Sequence, residues 1–148
     1  MTEIAFHVKV PDKLGYSCLL LRKAYLTGAA VTVTGEPDVL AALDRLLWSF
    51  SPTDFVPHCF ADASASIIAA TPILLTGSTE ATDASLRQEV LVNLGQGVPA
   101  EFERFERLIE VVALASDDAA AGRGRWKHYA ARGYALTSHE RARAGDSS

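Results

Sequence analysis

Short β-branched runs alternate with helix-patterned stretches along most of this chain, and that alternation narrows the fold more than any other feature. Residues 4–10 (IAFHVKV) read as a first strand ending at Pro11. Asp12 is placed to cap a helix carrying Leu14, Cys18, Leu19, Leu21 and Tyr25, with Gly28 as its stop. Residues 29–35 (AAVTVTG) form a second strand, and Glu36-Pro37-Asp38 opens a second helix. Val39, Leu40, Leu43, Leu46 and Leu47 then repeat at helical spacing up to Trp48. Further strands are expected at 71–76, 89–94 and 109–114, with a short helix carrying Phe102, Phe105 and Leu108 on one face before the last of them. Ser116 and Asp117-Asp118 open a final helix through Arg132, stopped by Gly133. Residues 60–70 show little pattern, and 77–85 read as polar loop. The whole predicts one α/β domain, a three-layer α/β/α sandwich with a mostly parallel sheet, over 1–136, followed by a flexible polar tail at 137–148.

Composition enters as a set of exclusions. At 148 residues, 49% apolar and 22% charged, the chain can bury a full core without staples. Cys18 and Cys59 lie far apart and fit neither a disulfide framework nor a zinc pattern. No window reaches the roughly eighteen apolar residues of a membrane span, and no basic segment precedes an apolar N-terminal stretch, so a cytoplasmic protein without membrane contact is expected. The net charge of −4 is uneven: residues 1–118 carry 8 basic and 16 acidic side chains, residues 119–148 carry 6 and 2. An acidic body with a basic end is a poor general nucleic-acid binder and points to a small acidic ligand at that end.

Three stretches carry chemistry. Leu46 to His58 (LLWSFSPTDFVPH) holds large apolar side chains on irregular backbone, because Pro52 and Pro57 forbid a continuing helix. Trp48 and Phe55 there either close over the core or await another protein. Gly95-Gln96-Gly97-Val98-Pro99-Ala100 fits G-x-G-x-x-G/A after a strand, with Asp117 and Asp118 about twenty residues on, where a dinucleotide fold carries its ribose acid. Against nucleotide binding stand Pro99 in the loop and Glu101 and Glu103 at the anion end of the next helix. His58 and Cys59 are adjacent on extended backbone and so point to opposite sides. On the last helix, Arg123, Trp126 and Lys127 fall at i, i+3 and i+4 on one face, while Arg125, Tyr129 and Arg132 share another. Cations around an aromatic suit an acidic peptide ending in a carboxylate; alternatively Trp126 packs inward and the cations serve the helix dipole.

The blocks LDRLLWSFSPTDFVPH, QEVLVNLG, EFERFERLIEVV and RGRWKHYAARGYAL together resemble the chi subunit of bacterial DNA polymerase III, over roughly residues 3–136. The resemblance implies a fold similar to nucleotide-binding domains but no catalytic site and no cofactor. It implies an accessory subunit of the clamp-loader assembly that touches nucleic acid only indirectly. Trp48, Phe55, Val56 and Pro57 match positions facing the psi subunit, or a repair helicase in its place. Arg123, Trp126 and Lys127 match positions that hold the acidic C-terminal tail of single-stranded-DNA-binding protein. Gly124, in place of a helix-favouring residue, and Ala119, where some relatives carry Lys, depart from the family pattern.

Overall fold

In the computed structural model, which describes residues 1–49, 55–79 and 89–140, the alternation resolves into seven strands in one sheet. In chain order these are β1 (Glu3–Val10), α1 (Lys13–Leu26), β2 (Val31–Thr34), α2 (Pro37–Ser49) and β3 (His58–Phe60). They continue with α3 (Ala65–Ala70), β4 (Ile73–Thr76), β5 (Val90–Asn93), a single 3₁₀ turn at Phe102–Arg104, β6 (Arg107–Ala113), α4 (Ser116–Ala131) and β7 (Leu136–Glu140). The sheet order is β3-β4-β2-β5-β6-β1-β7, and every pair is parallel.

Parallel neighbours need crossovers, and right-handed crossovers put connections running in opposite directions along the sheet on opposite faces. The chain steps one way from β1 to β2 to β3, carrying α1 and α2 to one face. It then returns through β4, β5, β6 and β7, carrying α3 and α4 to the other. Side chains follow the period of two. Val31, Val33, Ile73, Leu75, Val90 and Val92 meet Cys18, Leu21, Leu40, Leu43 and Leu47 beneath α1 and α2. Ile4, Phe6, Leu91, Leu108 and Val112 meet Phe102, Phe105 and Tyr129 on the opposite face. An extra residue in β1 near Lys9 (φ 56°) lets Val10 join the first cluster although Ile4 and Phe6 lie in the second.

Asp12 does cap α1, accepting the Gly15 amide at 3.1 Å. Ser116 does not cap α4: Ala115 is the boundary residue, and Asp117 and Asp118 instead use their carboxylates on the backbone of the first turn and of Ala113. The expected short helix around Phe102 is only one 3₁₀ turn, because the β6 backbone takes over by Arg107. Helix α3, with the end of strand β3 at Phe60, accounts for the featureless 60–70 stretch. Strand β7 extends four residues past 136, where the tail was expected to begin. Of the expected 77–85 loop only 77–79 is described, and the tail beyond Glu140 also lies outside the described residues.

Candidate functional site

Helix α2 ends at Ser49, and its last turn carries Trp48 outward, 61% exposed. The chain is described again at Phe55, 49% exposed, whose ring centroid lies 4.9 Å from that of Trp48 at 32°. Pro57 is half-buried beside them. The structure corrects the expectation at Val56: it is 0% exposed and packed in the cluster under α1 and α2, so its side chain is out of a partner's reach. Beneath the two exposed rings sits His58, buried, its ring 5.4 Å from Trp48 and 6.2 Å from Phe55. Asp44, one helical turn before Trp48, is hydrogen-bonded through Oδ1 to His58 Nε2 at 2.8 Å.

On the opposite face of the sheet, α4 presents Arg123 and Lys127 to solvent with Trp126 half-buried between them. Trp126 meets Phe6 in a T-shaped contact at 5.0 Å, so the indole is anchored against the core while part of it stays exposed. The inward packing expected of Trp126 is thus seen in part, and the ring is not fully buried. Among the described residues neither Arg123 nor Lys127 is ion-paired. On the second face of α4, Arg125 and Tyr129 are sealed, while Arg132 at the helix end is exposed. Arg125 (2% exposed) donates from Nε to Glu110 Oε1 at 2.9 Å, and Tyr129 Oη donates to Glu110 Oε2 at 2.5 Å. Asn93 adds its amide to both oxygens at 3.0 and 3.1 Å. Burial pushes the Glu110 carboxyl up from its ordinary value, while Arg125, Tyr129 and Asn93 pull the other way. Burial next to Glu110 likewise raises the Tyr129 phenol. Gly122 is where α4 crosses β6: a Cβ there would lie 2.9 Å from both Val112 methyls.

The Gly95–Gly97 loop lies at the carboxyl ends of the strands, where a parallel sheet takes its ligands. Its polar groups are turned inward. Asn93 Oδ1 accepts the Gly95 amide at 2.9 Å, Asn93 Nδ2 donates to the Gly97 carbonyl at 3.1 Å, and Arg125 Nη1 donates to the Gln96 carbonyl at 2.8 Å. Gln96 Nε2 donates to Asp118 Oδ1 at 2.6 Å, and the Ala113 amide donates to Asp118 Oδ2 at 2.6 Å. Lys13 from α1 closes the group at 3.1 Å. Burial works to raise the Asp118 carboxyl, but the Ala113 amide, Gln96 and Lys13 outweigh it and hold it below the usual 3.8. The loop is thus a clasp between β5, β6 and α4. Its acid is already engaged, and a 3₁₀ turn follows where an anion-binding helix would be needed. Cys18 is buried, its thiol pushed up to about 11 by burial and by Asp12, which removes it as a nucleophile. Cys59 faces away from His58, against Ile68 and Leu74.

Glu110 and Asp44 were missed at the sequence level. Glu110 had a signal: an acid two residues from Leu108 and from Val112 in a period-two strand faces the interior and must find donors. Asp44 had a weaker one, its i, i+4 spacing from Trp48.

Fold and surfaces together define a parallel α/β protein with an exposed aromatic pair on one layer, a cationic helix face on the other, and a closed strand-end between. Comparison with known proteins supplies the family. Residues 1–137 match the model of "DNA polymerase III chi subunit, HolC". The DNA polymerase III subunit chi of Pseudomonas aeruginosa is 29% identical over 145 residues, covering 94% of this chain and 96% of the relative. The chain belongs to the DNA polymerase III chi subunit family, and its place is in DNA replication. Among solved structures, the C-terminal domain of the DEAD-box protein Dbp5 shares the fold, with a TM-score of 0.57, 12% identity, and coverage of 95% of this chain and 90% of that one. Among the described residues no helix is long and apolar enough to cross a membrane.

Proposed function

We propose that this chain is a non-catalytic, cytoplasmic accessory subunit that links the clamp loader to coated template strands. Trp48, Phe55 and Pro57 meet the psi subunit, or a repair helicase that uses the same surface. Arg123, Trp126 and Lys127 hold the acidic C-terminal tail of single-stranded-DNA-binding protein. The observation that carries the reading is the separation of the two surfaces onto α2 and α4, on opposite faces of one rigid sheet. Two partners can then be held without competing for the same side chains.

At the α4 surface the chemistry is simple. A terminal carboxylate takes charge-assisted hydrogen bonds from Arg123 and Lys127, and the exposed part of Trp126 receives an apolar side chain. Such exposed pairs give affinity on the order of micromolar, falling with salt as the charges are screened. At the α2 surface, large exposed aromatics on a rigid helix end have the profile of residues that dominate binding when removed.

The test is a pair of titrations with the tail peptide. Arg123→Ala and Lys127→Ala are expected to abolish detectable binding while the melting temperature stays within about 2 °C, since both side chains are exposed. Full affinity in both variants removes the tail-binding reading.

A further inference from the structure

The two exposed rings of the α2 surface do not stand alone. His58 is buried, and both of its ring nitrogens are held. Nδ1 lies 2.8 Å from the Val56 carbonyl, which can only accept, so Nδ1 carries a proton. Nε2 lies 2.8 Å from Asp44 Oδ1, an approach that requires a proton between them. One nitrogen therefore ties the ring to the backbone that leads into β3, and the other ties it to α2. Because Trp48 leaves α2 one turn after Asp44, and Phe55 precedes Val56 directly, the imidazole joins the two segments that carry the exposed rings. Its face and edge are the floor for both, at 5.4 Å from Trp48 and 6.2 Å from Phe55.

We infer that Asp44 and His58 are positioning residues for the partner surface: they clamp the end of α2 to the strand β3 entry and so preset Trp48 and Phe55 as one joined apolar face. The inference rests on the reading of that face as a docking surface and says how it is kept ready. Exposed aromatic rings lose freedom when a partner seats on them, and a floor that has already restricted them lowers that loss. Asp44 is the residue to change, because it is only partly buried and holds His58, the floor of both rings, through Nε2.

The experiment uses the full chain and two readouts. The chain holds two tryptophans, so a ¹H–¹⁵N spectrum shows two indole N–H signals, assigned by recording Trp126→Phe beside wild type. In Asp44→Ala, the Trp48 indole is expected to shift and to show a reduced heteronuclear NOE, while the Trp126 indole, on the other face, is unchanged. In Asp44→Asn, the Trp48 signal is expected to remain near wild type, because an amide can offer either its oxygen or its NH₂ to Nε2. Titration with purified psi subunit is expected to be about tenfold weaker for Asp44→Ala, the scale of freeing one or two ordered side chains, and restored in Asp44→Asn. An Asp44→Ala protein whose Trp48 signal and psi affinity both match wild type overturns the clamp while leaving the docking surface intact. Wild-type psi affinity in Phe55→Ala overturns the docking surface itself, whatever the Trp48 signal does.

Discussion

Phe55 and Val56 are chain neighbours with opposite fates, and they separate what holds the protein together from what it shows to others. Val56→Ala removes buried volume and is expected to cost about 2 kcal/mol, lowering the melting temperature by roughly 4–8 °C. Phe55→Ala, at a half-exposed ring, is expected to leave the melting temperature within about 2 °C. Thermal denaturation followed by circular dichroism checks both, and an unfolded Phe55→Ala would make that ring core. From sequence the two looked alike because alternation on three residues of irregular backbone has no period to read. Asp118 gives a second test at this scale. Its folded pKa is depressed, so its contribution to stability is present above the ordinary 3.8 and is lost as pH falls through the folded value. Asp118→Asn is therefore expected to be less stable than wild type at pH 7 by about 1–3 kcal/mol, with the difference shrinking below pH 4, as read from urea unfolding at the two pH values. A difference as large at pH 3 as at pH 7 would contradict the charge-based account of the clasp.

Helix α4 carries two tasks in this account: one face seals Glu110, and the other is the one proposed to meet a ligand. Its two inner glycines show the division. Gly122→Ala drives a methyl into Val112 and is expected to destabilise by about 1–3 kcal/mol. Gly124→Ala meets open space and is expected to stabilise by roughly 0.5–1 kcal/mol through helix propensity alone. Melting temperatures that move in the same direction for both would rule out this placement of the helix. At this scale the sequence was legible where periodicity ran long: α1, α2 and α4, and the strands β1, β4, β5 and β6, all lie within a few residues of expectation. It was opaque for β3 and β7, edge strands with little apolar pattern: β3 has three residues, and β7 is exposed at four of its five. Helix α3 was hidden by a run of Ala and Ser that fits any state. The family resemblance, carried by residues around Trp48 and α4, reached further than local propensity did, yet it too grouped Val56 with its exposed neighbours.

The molecule as a whole is a seven-stranded parallel sheet whose usual ligand crevice is filled by its own side chains, leaving the outer faces of its helices for contact. That arrangement predicts no thermal shift on adding ATP or NAD at millimolar concentration, because a ligand that bound only the folded state would have to raise its stability. A clear shift would reopen the Gly95–Gly97 loop as a nucleotide site. The basic end of the chain was legible from charge alone; that Arg125 is committed to Glu110 was not, because it looks the same in sequence as the exposed Arg123. The most direct measurement is calorimetric titration of the acidic tail peptide of single-stranded-DNA-binding protein into wild type, into the Arg123→Ala/Lys127→Ala double variant and into Phe55→Ala. The account predicts salt-sensitive binding to wild type and Phe55→Ala alike, and none to the double variant; equal binding to all three proteins would contradict it.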